Sequence, residues 1–166
     1  LAKNGGVEEA KEIAMKMIEK NEFNWVWQIG IKLAEKGYIE EAKEIAMKLI
    51  ETNKFYRVLQ IGVALAEKGY IEEAKEIAMN LIEKNKFHMA CEIGVKLAKN
   101  GGVEEAKEIA MNLIGKNELD EVWEIGVALA ESGYKEAKGI AMKLIEKNAF
   151  YMVWKIGVKL AENGRG

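Results

Sequence analysis

Three side chains near the middle of the chain stand at i, i+3 and i+4: His88, Cys91 and Glu92. On a helix that spacing turns an imidazole, a thiol and a carboxylate to one side. Such a group suits a metal site or a Cys–His nucleophile pair. Asp120 and Glu124, at i and i+4 further along, would complete it if the fold brought them near. Against this, the chain holds one His and one Cys, and a shared helix face forces proximity on whatever is placed there. A lone buried Cys more often acts as a small hydrophobe. The expectation is therefore no catalytic residue, no metal and no cofactor. The second resource is aromatic. Trp25, Trp27, Trp123 and Trp154 offer flat walls to a rigid apolar ligand, or simply fill space. Carboxylates beside them suit a cationic amine, whereas Arg57 and Lys155 suit a carboxylate, and both choices stay open.

The elements that position these residues come from a repeat. A unit of about 32 residues starts at Leu1, Leu33, Leu65, Leu97 and Leu129, with a truncated start at Leu160. Self-similarity at this period marks stacked helical units. Each unit predicts two helices. In helix A of the first unit, Val7, Ala10, Ile13, Ala14, Met17 and Ile18 fall on one face, with Glu and Lys opposite. It ends near Asn21, and Asn53, Asn85, Asn117 and Asn148 recur there. Helix B is expected from Phe23 to Lys36, with Phe23, Val26, Ile29, Gly30, Leu33 and Ala34 on its core face. It ends at Gly37, matched by Gly69, Gly101 and Gly133. Gly30 recurs as Gly62, Gly94, Gly126 and Gly157, which predicts close approach of a neighbouring helix. Residues 1–4 read as a copy of the tail of a preceding helix B. In the fifth unit one residue is missing near Lys135. Gly139 stands where Glu44 stands in the second unit, and Gly115 where Glu51 stands, so helix A is expected to be weakened in units four and five.

Composition narrows the class. Hydrophobic residues make 49% of the chain and charged ones 31%, with no proline and a net charge of −2. That gives no basic footprint for nucleic acid. No apolar run reaches the ~20 residues that span a bilayer. The single Cys fits a reducing, cytoplasmic-type setting or an in vitro origin.

What fails to repeat is more telling. Beside the core face of helix B lies a second stripe at i, i+3, i+4, i+7. It reads Asn24, Trp27, Gln28 and Ile31, then Tyr56, Leu59, Gln60 and Val63, then His88, Cys91, Glu92 and Val95. The fourth unit supplies Asp120, Trp123, Glu124 and Val127, and the fifth Tyr151, Trp154, Lys155 and Val158. Apolar walls with a few directed polar groups are the make-up of a ligand pocket. Position 25 also varies (Trp25, Arg57, Met89, Glu121, Met152) and is placed at a helix–helix edge or pocket mouth. The end units carry no polar cap: Val7 and Ile13 at one end and Ile156 and Leu160 at the other stay apolar, though an open array normally caps such faces. The preferred architecture is accordingly an all-α single domain over 1–166, with units at 5–36, 37–68, 69–100, 101–132 and 133–163. These close into a ring with helix B inside, around a lumen set by helix axes ~8 Å from the centre. An open α-solenoid is the alternative.

Near-identical units, idealised Glu/Lys surfaces, uncapped ends and a variegated inner stripe resemble the computationally designed closed helical toroids known as pseudocycles. The resemblance implies an engineered, recombinant monomer. It would be non-enzymatic and bind one small apolar, aromatic or steroid-like molecule on its axis through the stripe residues. The alternatives are a scaffold without ligand and a peptide- or protein-binding open solenoid.

Overall fold

The computed structural model describes residues 2–55 and 57–164, with side chains from Gly6 onward. Among them are ten α-helices and no strand: α1 (Ala2–Glu19), α2 (Val26–Glu35), α3 (Ile39–Glu51), α4 (Val58–Glu67), α5 (Ile71–Glu83), α6 (Phe87–Lys99), α7 (Val103–Gly115), α8 (Val122–Glu131), α9 (Glu136–Glu146) and α10 (Val153–Asn163). Odd-numbered helices are the A type and even-numbered the B type. Each packs on the next helix and on the next of its own type. This gives an A layer and a B layer with an apolar core between them.

Helix ends follow the predicted residues. Asn21, Asn53, Asn85, Asn117 and Asn148 close the A helices at φ between 59° and 64°. Gly37, Gly69, Gly101 and Gly133 close the B helices, also at positive φ. The amide of Lys54 donates back to the Leu49 carbonyl (2.7 Å) and that of Tyr38 to Leu33 (2.9 Å), the pairing of a left-handed C-terminal cap.

Two expectations about helix extent fail. Helix B begins at Val26, Val58, Val122 and Val153, three residues late. Only α6 starts at its phenylalanine, Phe87. There Ala90 replaces the valine found in the other units, and alanine is the better helix former. The second concerns residues 2–4, which do not copy a preceding helix tail, while Leu1 lies outside the described residues. Instead α1 runs through Gly5 and Gly6 from Ala2. The same residues at 97–102 turn sharply, where Gly102 is pressed against Ile71 and Leu97.

The B layer is held by one recurring contact. A Cβ on Gly30 would lie 2.6 Å from Ile61 Cδ1 and 3.7 Å from Ile45 Cγ2. Gly62 meets Ile93 at 2.6 Å, Gly94 meets Ile125 at 2.7 Å and Gly126 meets Ile156 at 2.5 Å. Each isoleucine thus lies on bare backbone, the close approach the sequence predicts. Gly157, in the same register, has nothing within 4 Å.

A ladder of ion pairs crosses the A layer: Lys11 to Glu44 (2.9 Å), Lys43 to Glu76 (3.4 Å) and Lys75 to Glu108 (3.3 Å). The next rung would join Lys107 to residue 139. That residue is Gly139, whose added Cβ would lie 3.7 Å from Lys107 Cε. Gly139 therefore removes a rung. The deletion shortens α9 to 11 residues, against 13 for α3, α5 and α7. Gly115 weakens nothing visible: α7 keeps its full length and ends on it.

The array is open. No contact among the described residues joins α1 or α2 to α9 or α10, so the expected ring does not form. The glycine seats set the step between units, and the four steps leave α1 and α2 without contact to α9 and α10. The end faces stay uncovered. Ile13 is 56% exposed, while Ile45, Ile77, Ile109 and Ile140 are fully buried. At the far end Ile145 is 42% exposed, while Ile50 and Ile82 are buried.

Three substitutions test these contacts. Gly62→Ala forces a methyl into Ile93, and overpacking by about 1–3 kcal/mol exceeds the gain of about 1 kcal/mol in helix propensity. Gly157→Ala keeps only the gain. Urea unfolding should show the first variant less stable and the second more stable than the parent. Gly139→Glu should restore the missing rung and a better helix former, raising stability by about 1 kcal/mol. The increase should shrink in high salt to the propensity part alone.

Candidate functional site

Positions 27, 28 and 31 of the variable stripe sit on B helices as the periodicity predicts. Position 24 does not. Asn24, Asp120 and Tyr151 lie on the turns ahead of α2, α8 and α10, because those helices start late, and only His88 is helical. Tyr56 falls outside the described residues. The stripe is a partly exposed face of the B layer. Ile31, Leu59, Val63, Val95 and Val127 are half-buried, while Asn24, Gln28 and Glu92 are exposed.

The centre of this face is a knot of one imidazole and its neighbouring carboxylates. His88 Nε2 lies 2.9 Å from Glu92 Oε1 on its own helix, and Nδ1 lies 2.6 Å from Glu121 Oε2 at the start of the next B helix. A carboxylate on each ring nitrogen favours the doubly protonated imidazolium, in which both nitrogens donate. The Glu121 hydrogen bond accordingly raises the His88 pKa above its ordinary 6.5, with the charges of Glu121, Glu92 and Glu124 adding to it and partial burial opposing. Glu124 is also raised, by desolvation first and then by the charge of Glu121. Three carboxylates, those of Glu92, Glu121 and Glu124, thus sit around the His88 ring.

Cys91 is buried and its Sγ donates to the Glu121 carbonyl (3.3 Å). Burial, reinforced by Glu124, Glu121 and Glu92, pushes its thiol pKa far up. It is held as the thiol, and a thiol is not the nucleophile. Nor do the ligating groups converge. Among the described residues no three His, Cys, Asp or Glu side chains form a group that would hold a metal ion. Asp120 and Glu124 do not complete the cluster as the sequence suggested, since Glu121 makes the bonds instead.

On either side of the knot a tryptophan meets a cation of the next unit, Trp27 with Arg57 and Trp123 with Lys155. The Arg57 guanidinium lies 5.1 Å from the Trp27 ring centre. Trp27 Nε1 is buried with no hydrogen-bond partner, a cost of about 1–3 kcal/mol. With its amide oxygen toward the guanidinium, Gln60 accepts from Arg57 Nη1 (3.3 Å) and donates to the Arg57 carbonyl (3.0 Å). Further along, Lys155 stands 5.6 Å from the Trp123 ring and 5.8 Å from Trp154. Tyr151 meets Trp123 edge to face at 6.2 Å. Trp154 and Val158 belong to the uncovered end, and Trp154 is 62% exposed.

Position 25 is what the stripe reading left out. Glu121 ties two B helices through His88 and Cys91, and Arg57 ties Trp27 to the next unit. The signal was available, for position 25 repeats no better than the stripe itself. Its placement at a helix–helix edge holds for these two. Trp25 is exposed on a turn.

A cavity of about 510 Å³ opens between the turns ahead of α8 and α10, walled by Leu119, Asp120, Ala149, Phe150 and Tyr151 with Lys147 and Asn148. A small one of about 80 Å³ lies under Glu121, beside Phe87, Cys91 and Leu113. No described helix is long and apolar enough to cross a membrane. No protein-family model matches the chain, and comparison with curated proteins and with solved structures gave no match.

His88 is the only histidine in the sequence, so its titration can be followed by NMR without assignment. It should titrate above 6.5, and Glu121→Gln should bring it down. A raised folded pKa means that the stability His88 adds is complete below the unfolded value and fades as pH rises through the folded one. Thermal scans across that window should fall with pH in the parent and flatten in His88→Ala. The effect is small, because the ring is largely exposed.

Proposed function

We propose that the chain is a non-enzymatic binding module, and that it takes an extended peptide or protein segment carrying a basic side chain across the exposed face of its B helices. The observation that carries this is the surplus of carboxylate in a face that is otherwise apolar and aromatic. Glu92, Glu121 and Glu124 surround the one His88 ring, and Glu124 holds its proton more tightly than usual, through burial first and then through the charge of Glu121. An Arg or Lys arriving there would relieve that repulsion and make charge-assisted hydrogen bonds. Half-buried Ile31, Val63, Val95 and Val127 run along the same face and would pack against the apolar neighbours of the basic residue. An open array offers such a segment a continuous approach, which a closed lumen would deny. The isoleucine-on-glycine contacts keep B helices close, and the layer with the shorter spacing lies on the inside of a curve.

A panel of peptides tests this, read by tryptophan emission and calorimetry. Peptides with a basic residue between apolar ones should bind, with affinity falling as salt rises. Acidic counterparts should not. Glu92→Gln and Glu124→Gln should each weaken binding about tenfold, the factor that 1.4 kcal/mol makes, with helical content unchanged. Equal binding of acidic and basic peptides, or of none, sinks the reading.

The cavity beside Phe150 and Tyr151 supports a second reading, one small aromatic molecule. Phe150→Ala should abolish that response and leave peptide binding intact.

A further inference from the structure

Each internal glycine seat holds two isoleucines of the following unit, one from its B helix and one from its A helix. Gly30 takes Ile61 and Ile45, Gly62 takes Ile93 and Ile77, Gly94 takes Ile125 and Ile109, and Gly126 takes Ile156 and Ile140. One seat and one pair are left over. Gly157 has nothing within 4 Å. At the opposite end Ile29 is half-buried and Ile13 is mostly exposed. These are the two isoleucines of that register without a seat. We infer that the two end faces are mates, and that copies of this chain associate head to tail, the Gly157 seat of one copy taking Ile29 and Ile13 of the next.

Charge and shape agree with that register. Along the A layer a lysine of one unit pairs with a glutamate of the next, as Lys11 does with Glu44 and Lys43 with Glu76. Continued across the joint, the rung joins Lys138 to the next copy's Glu12, both exposed. The head also presents a hollow of about 670 Å³ walled by Glu9, Glu12, Ile13, Lys16 and Met17. The tail presents Met142 and Ile145, both largely exposed. Within the chain, Met111, the counterpart of Met142, reaches within 3.9 Å of a Cβ at residue 139, the counterpart of Glu12. Met142 is therefore directed into the hollow of the next head. Helix α1 continues through Gly6 and Gly5 to Ala2 instead of folding back as a B-helix tail. A contact between unlike faces is heterologous, so it propagates until a ring or filament results.

Sedimentation of the chain from micromolar to millimolar concentration should show mass growing through a series of multiples. Ile13→Glu blocks the head and Gly157→Leu blocks the tail. Both positions are exposed in the single copy, and circular dichroism checks that each variant folds. Each alone should stay monomeric, and an equal mixture should form a dimer and stop there. Lys138→Glu and Glu12→Lys should each lower the average mass, and the double variant should recover it. A parent chain that stays monomeric throughout, a mixture that does not dimerise, or an Ile13→Glu chain that still dimerises would overturn the inference. The last outcome would show a like-face contact, and the first would leave these faces to some other occupant, such as a further unit of the same kind.

Discussion

Where Ile61 crosses Gly30, a side chain of one helix lies on the bare backbone of its neighbour, and the same crossing recurs three times more along the B layer. A methyl group at any of these glycines would push the helices apart. The seat fixes how near successive B helices come, and through Ile45 and its counterparts it also fixes where the next A helix sits. The spacing of the variable face is a consequence. Glu121 reaches His88 and Arg57 reaches over Trp27 because the helices bearing them are held at that distance. Elsewhere glycine in a helix is a weakness of about 1 kcal/mol. Here that loss is offset by close packing of a buried isoleucine.

The helical content, the end caps and the glycine contacts were all readable from the residues, because each is decided within one turn or between adjacent units. Asn21 and Gly37 announce helix ends through a backbone conformation that few other residues accept. Closure was not readable. It depends on the rotation accumulated over the whole array, and a few degrees per step separate a ring from an open coil without altering any residue type. Nor was the late start of the B helices, where valine at position 26 yields to alanine only in α6. A more direct lesson comes from residues 1–15 and 97–111, which are identical. One copy is a single helix, and the other is two helices with a turn between them. Gly101 and Gly102 permit the turn, but packing against Ile71 and the rest of the preceding unit selects it.

On the variable face the stripe was found, and position 25 was placed at a helix–helix edge or pocket mouth without its partners. A reading by helical period groups residues that look the same way from one helix. It does not name what Glu121, one position off the stripe, meets on the neighbouring helix. The consequence is electrostatic as well as geometric. His88 with Glu92 alone would be an ordinary exposed pair. Adding Glu121 clamps the imidazole between units and raises its pKa, and the buried thiol of Cys91 serves as a structural hydrogen-bond donor beneath it.

Contacts in this fold reach no further along the chain than the second helix onward. Folding therefore needs no distant segments to meet, and loop closure adds little to its barrier. Stability behaves as a row of linked units, each coupled to the one beside it. In such a row the weakest coupling sets where the chain opens. The missing rung between Lys107 and Gly139, with the shortened α9, leaves the last unit one ion pair short of the others. The last helix pair accordingly opens as one piece ahead of the rest, so that amides of α9 and α10 exchange with solvent sooner than those of α4 to α6.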